Sequence, residues 1–283
     1  MSLGILTNVA ATYAENNLNQ TQGSLQTVLQ QLSSGSRINS GADDAAGLSV
    51  ADGLHANEAA LTQSAQNAQN GVGLLQTADG ALSQVTNLLD RAVTLATEAS
   101  NGGLTAAQAG AANTEYQSIL TEIGNIGTST NFNSTGVFTA TATNFTVSDG
   151  TTAGTTTIAA TVGALTAGSV GTATGGGAGQ SLTGTTLTST TNATTALSDV
   201  TTAIADIANQ RGAIGANINQ LNAAANVASS EEVNLSSAES SIRSTNYGQA
   251  TSDLAKYQVL SQTGISALAL ANSVQQEILK LLQ

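Results

Sequence analysis

Apolar residues recur at alternating steps of three and four at both ends of this chain and fade in its middle. Leu18, Thr21, Leu25, Val28 and Leu32 set the rhythm, and Leu3, Leu6, Val9 and Tyr13 extend it less strictly toward the N-terminus. An α-helix repeats every ~3.6 residues, so this spacing predicts helices that each bury a narrow stripe against another helix. Ser33 to Gly41 is rich in Ser, Gly and Asn and reads as a loop, with Asp43 or Asp44 placed to cap the next helix.

That helix is expected to be long. Leu61, Ala65, Ala68, Val72, Leu75, Asp79, Leu82, Thr86, Leu89, Val93 and Ala96 keep the same steps, until Asn101-Gly102-Gly103 stops them. A third helix follows over roughly 105–126, with Tyr116, Ile119, Leu120, Ile123 and Ile126 as its apolar face. From Thr128 to Thr195 the composition turns to Thr, Gly, Ala and Ser. Alternations such as Phe145-Thr146-Val147 and Thr157-Ile158-Ala159 predict short strands, and Gly175-Gly176-Gly177 a surface turn. Helical rhythm returns after Leu197 through Ile204, Ile207, Arg211, Ile214, Ile218, Leu221, Ala225, Ala228, Glu232, Leu235, Ala238 and Ile242. After a weak break at Ser244-Thr245-Asn246, a last segment carries Leu254, Tyr257, Leu260, Ile265, Leu268, Ala271, Val274, Ile278 and Leu281. The fold class expected is mainly α: a long antiparallel helical hairpin or coiled-coil bundle with a small central β-rich region.

Composition narrows the function. Aromatic residues make up 2% and charged residues 8%, with no Trp, Cys or Pro. Few large side chains suit a thin helix bundle rather than one thick core. A net charge of -12 with six Lys and Arg speaks against nucleic acid and an anionic membrane as partners. No apolar run approaches the ~18 residues of a membrane span, so no membrane insertion is expected. The absence of Cys excludes thiolate nucleophiles and thiolate metal sites, and the single His55 cannot form a two-histidine zinc motif. With no phosphate-binding loop and no nucleophile elbow either, no enzyme activity, metal or cofactor is expected. The first residues lack the basic stretch of a secretory signal, the first Lys or Arg being Arg37.

The run Leu32-Ser33-Ser34-Gly35-Ser36-Arg37-Ile38-Asn39-Ser40-Gly41-Ala42-Asp43-Asp44-Ala45-Ala46-Gly47-Leu48 resembles the N-terminal signature of bacterial flagellins. Asn67-Ala68-Gln69-Asn70-Gly71 and Leu74-Leu75-Gln76-Thr77-Ala78-Asp79-Gly80-Ala81-Leu82 extend the likeness. Independently, Ala208 to Ala216, Asn234 to Arg243, and Leu270-Ala271-Asn272 followed by Ile278 to Leu282 resemble the family's C-terminal half. The likeness covers roughly 1–138 and 196–283. Departures lie at Ser244 to Tyr247, where the family often has an acidic pair, and near Val274, where it often has a Pro.

The resemblance implies a coiled-coil core domain from 1–44 with 244–283, an outer helical domain from 45–138 with 196–243, and a variable surface-exposed β or loop region over 139–195. It implies a structural subunit that polymerises into the flagellar filament for motility. Export would run through the flagellar type III apparatus, which needs no cleaved signal, so the chain would be secreted and extracellular on the bacterial flagellum. Partners would be further copies of the chain, a flagellar export chaperone, the filament cap and the hook-junction proteins. A hook–filament junction protein, or another self-assembling coiled-coil surface protein, is the alternative.

The residues expected to carry assembly are Leu3, Leu6, Leu18, Arg37, Asn39, Asp43, Asp44, Arg211, Leu254, Leu268, Ile278 and Leu281. Arg37 can make an intersubunit contact, clamp its loop through charge-assisted hydrogen bonds, or stand solvated. Arg211 falls on the apolar stripe, where a polar residue can fix register, with Asp79 or Glu232 as candidate ion partner, or where its charged end can reach out to water past an apolar stem. By the same resemblance Arg91, Leu95 and Glu115 match positions that in some flagellins bind the vertebrate Toll-like receptor for flagellin; ordinary packing is the alternative.

Overall fold

With no proline in the sequence, each helix runs until a cap ends it. The computed structural model describes residues 8–151, 153–173 and 176–281, with no side chain described beyond residue 277. Among these, α1 spans Val9–Ser34, α2 Ala45–Ser100, α3 Ala106–Ser129, α4 Thr190–Arg243 and α5 Tyr247–Leu281. Six short strands lie between α3 and α4: β1 Asn131–Phe132, β2 Thr135–Gly136, β3 Ala142–Val147, β4 Thr156–Thr161, β5 Val170–Thr172 and β6 Ala178–Gln180. They form three two-stranded antiparallel sheets, β1–β2, β3–β4 and β5–β6. Both alternations expected to be strands pair with each other, Phe145 opposite Ile158 and Thr146 opposite Thr157.

The caps are local sequence chemistry. Asn8 accepts from the Ala11 N–H at the start of α1, and Gly35, in the left-handed region at φ 73°, ends it with a bond to Gln31 O. The Asp44 carboxylate accepts from the Gly47 N–H at 2.8 Å, one residue before α2 begins. Thr105 and Gln108 form a reciprocal capping box at α3. Within the helices many Thr hydroxyls donate back to the carbonyl four residues earlier, as Thr77 does to Gly73 at 2.8 Å and Thr201 to Leu197 at 2.7 Å. Each hydroxyl is thereby satisfied by a carbonyl of its own helix.

The chain divides into two compact units: one of Met1–Ala56 with Asn234–Gln283, the other of Asn57–Val233. The core of the second unit lies along α2, α3 and α4. On α2 the buried line runs Leu61, Ala65, Ala68, Gly71, Leu75, Ala78, Leu82, Val85, Leu89, Ala92, Ala96 and Ala99. On α4 it runs Ala193, Ala196, Val200, Ala203, Ile207, Gln210, Ile214 and Leu221. This corrects the expected stripe at alternate positions. Gly71, Ala78, Val85 and Ala92 are buried where Val72, Asp79, Thr86 and Val93 were expected, and Gln210, 2% exposed, sits where Arg211 was expected. At Gly71, Ala78 and Ala92 the line passes through the smaller neighbour because Gly and Ala let two backbones approach closely, while the larger one leans on the rim; at Val85 it takes the apolar residue over the hydroxyl of Thr86.

Glycines mark where the insert meets the helices. Gly171, at φ 77°, lies directly against the backbone of Asp206 and Ile207. Gly71 of α2 faces Phe145 of β3 and Leu221 of α4. Ser64, buried on α2, donates to Ser148 O at 2.7 Å and accepts from Ser148 N at 2.8 Å, fastening the end of the β3–β4 hairpin. Gln180 clips β6 to α4, its backbone N–H donating to Asp206 at 2.9 Å and its amide to Asp199 at 3.1 Å.

Candidate functional site

In the first unit α1 and α5 pair antiparallel. Asn8 Nδ2 donates to Ala271 O at 2.9 Å at one end, and Thr245 Oγ1 donates to Gln31 O at 3.3 Å at the other. The half-covered face of α1 runs Ala11, Ala14, Leu18, Thr21, Leu25, buried Val28 and Leu32, in strict steps of three and four. Its early part therefore goes through Ala11 and Ala14; Val9 and Tyr13 stand exposed, Tyr13 at 68%. The facing line on α5 runs Ala250, Leu254, Tyr257, Ser261, Gly264, Leu268 and Ala271. Leu18 packs beside Gly264, whose missing side chain admits it.

Here again the small residue occupies the seam. Leu260, Ile265 and Val274, expected on the stripe, are exposed instead. Val259, Leu270 and Val274 are 62%, 66% and 45% exposed and form an uncovered apolar row well round α5 from α1, while Leu260 stands exposed between that row and the seam. Steps of four and three through Val259, Thr263, Ala267, Leu270 and Val274 carry that row in the sequence. Leu3 and Leu6 lie outside the described residues, and so do the side chains of Ile278 and Leu281, whose backbone continues α5.

The loop between α1 and α2 is tied to the α4–α5 junction. Arg37 N–H donates to Arg243 O, Thr245 N–H donates to Gly35 O, and Ser36 bridges Ser244. The Arg37 guanidinium donates to Ile242 O at 2.9 Å, a carbonyl at the end of α4, and lies 3.6 Å from the Asp44 carboxylate. A cation there meets the negative end of the helix dipole. Asp43 accepts from the N–H groups of Asn39 and Ser40 at 3.0 and 2.8 Å, which hold its carboxyl below the ordinary 3.8. Asn39 also donates to Ser36 O, and Ile38 is buried beneath. Arg37, Asn39, Asp43 and Asp44 thus share one hydrogen-bonded loop.

The remaining sequence-derived residues belong to the second unit. Arg211 forms a two-pronged pair with Asp79, at 2.7 and 3.3 Å, beside the buried line and not on it. Arg91 and Glu115 form another, at 2.7 and 3.0 Å, joining α2 to α3 on the surface. Hydrogen bonds from Arg91 hold the Glu115 carboxyl below its ordinary 4.5. Leu95, expected beside Arg91 on an exposed face, is 3% exposed and part of the core, so the three residues present no common surface.

Antiparallel terminal helices, a helical body and a β-hairpin insert describe a helical self-packing chain, and comparison with known proteins narrows the class. The bacterial flagellin N-terminal helical region matches residues 5–143, and the bacterial flagellin C-terminal helical region matches 197–282. The chain belongs to the bacterial flagellin family. Flagellin 1 of Proteus mirabilis is 36% identical over 151 residues, 53% of this chain and 41% of that one. A flagellin of Xenorhabdus nematophila is 38% identical over 150 residues, 53% of this chain and 48% of that one. The aligned stretch thus spans less than half the length of either relative. The crystal structure of Bacillus cereus flagellin aligns at 30% identity over 57% of this chain and 88% of that one, with a TM-score of 0.46.

Proposed function

We propose that this chain is a structural subunit that polymerises into a bacterial flagellar filament, and that α1 and α5 carry the assembly contacts. The observation that carries this reading is the uncovered row Val259, Leu270 and Val274 on α5, with exposed Leu260 at its border. Apolar side chains at that density lose favourable burial in water and regain it against another protein surface. A contact that repeats without closing into a ring makes a filament. Subunits leave the cell through the flagellar type III apparatus with an export chaperone and add beneath a filament cap above the hook-junction proteins; family membership supports this part of the reading.

The test is Leu270→Asn combined with Val274→Asn in seeded polymerisation, followed by negative-stain microscopy and sedimentation. Far-ultraviolet dichroism and thermal unfolding of the monomer should stay near wild type, because both side chains are exposed, while filament yield drops. Unchanged filament yield would refute the assembly role of this row. For receptor recognition, the surface-exposed Arg91–Glu115 pair is the proposed contact and Leu95 supports it from within. Arg91→Ala should lower signalling in receptor reporter cells; wild-type monomer that gives no signal removes this reading.

A further inference from the structure

Two Asn-Gly dipeptides occur in the chain, Asn70-Gly71 and Asn101-Gly102. Asparagine followed by glycine is chemically the most labile peptide pair, because no side chain hinders the following nitrogen. The structure sets the two apart. Gly71 lies inside α2, its nitrogen held in the helical hydrogen-bond ladder and its Cα packed against Leu221 and Phe145. Asn101-Gly102-Gly103 is the exposed link between α2 and α3. Gly102 adopts φ 62°, a region that favours glycine. Neither the Asn101 carboxamide nor the Gly102 N–H has a hydrogen-bond partner among the described residues.

We propose that Asn101 is a site of spontaneous deamidation and isoaspartate formation. The Gly102 nitrogen, having given its proton to hydroxide, attacks Asn101 Cγ. The new N–Cγ bond closes a succinimide ring, and the Cγ–Nδ2 bond breaks as the departing NH2 group takes a proton from water and leaves as ammonia. Water then opens the ring at Cγ to give aspartate, or at the backbone carbonyl to give isoaspartate. No electrons are transferred, and solvent is the only co-reactant. The product places a carboxylate just past the C-terminus of α2, the negative end of its dipole, three residues from Glu98. Isoaspartate also adds a methylene to the main chain shortly before Leu104, which packs on the core. The α2–α3 link therefore ages in one direction, toward more negative charge and a longer connection.

The test is incubation of the full-length protein at mildly alkaline pH, with peptide mapping by mass spectrometry. Isoaspartate is detected with isoaspartyl methyltransferase and labelled S-adenosylmethionine. In the folded protein the Asn101 peptide should convert faster than the Asn70 peptide by on the order of tenfold or more, because α2 must open before the Gly71 nitrogen can attack. In urea the two rates should approach each other, since the difference comes from structure. Asn101→Gln should abolish the isoaspartate mapped to the peptide that carries residue 101, because the longer side chain closes a six-membered ring far more slowly. Equal rates at Asn70 and Asn101 in the folded protein, or an Asn101 peptide that gains no isoaspartate, would overturn the proposal.

Discussion

Glu115 and Gly171 show how single residues report on this fold. The Arg91 hydrogen bonds lower the Glu115 carboxyl relative to 4.5, so the pair's contribution is complete above that pH. It is lost as pH falls through the lower folded value. A carbon-detected titration should place the Glu115 midpoint below 4.5, and Arg91→Gln should return it close to 4.5; a midpoint unmoved by Arg91→Gln would contradict the pairing. Gly171 tests packing instead of charge. Gly171→Ala should cost about 2–4 kcal/mol in urea unfolding, since φ 77° and the α4 backbone both oppose a Cβ. Gly176→Ala is the control, with φ 86° and open space around it, and should cost only about 1 kcal/mol. The contacts of Arg37 and Arg211 were partly legible in sequence: a cation near two Asp, and a cation among apolar residues. Asp79 as partner was one of two candidates, and only the facing of α2 and α4 selects it.

At the scale of elements, caps and periodicity were readable because they are local. Asp44, Thr105 and Gly35 start or stop helices through bonds within a few residues. The seam was readable in rhythm but not in phase. On α2, α4 and α5 it runs through Ala, Gly, Ser or Gln one residue away from a larger or charged neighbour. Hydrophobicity favours the larger residue, whereas close backbone approach favours the smaller, and only the partner helix decides. The α5 helix continues through Leu281, so removing residues 278–283 shortens the element proposed to carry assembly. That truncation should lower filament yield while leaving the second unit's thermal unfolding unchanged, because that unit has its own core. Loss of the second unit's transition in the truncated chain would show that its stability depends on α5.

Charge belongs to the whole molecule. Between Asn57 and Val233 stand eleven Asp and Glu against two Arg, a net of -9 of the chain's -12, and both Arg are already paired. Copies packed side by side repel, and salt shortens the range of that repulsion to ~10 Å at 0.1 M. Raising ionic strength should therefore lower the critical concentration for polymerisation, measured by sedimentation; an increase with salt would point to ion pairs between copies as the dominant contact. By itself the sequence determined the helical class, the β-rich insert, the flagellin signatures and the helix ends apart from the start of α4, which lies at Thr190 inside the stretch expected to be strands and loops, because each of the others rests on local spacing. Tertiary structure decided which side of each heptad is buried, the pairing of Arg211 with Asp79, the burial of Leu95 and the uncovered row on α5. Those depend on what faces each helix across space, and residue spacing along one helix is nearly the same for two stripes a single position apart.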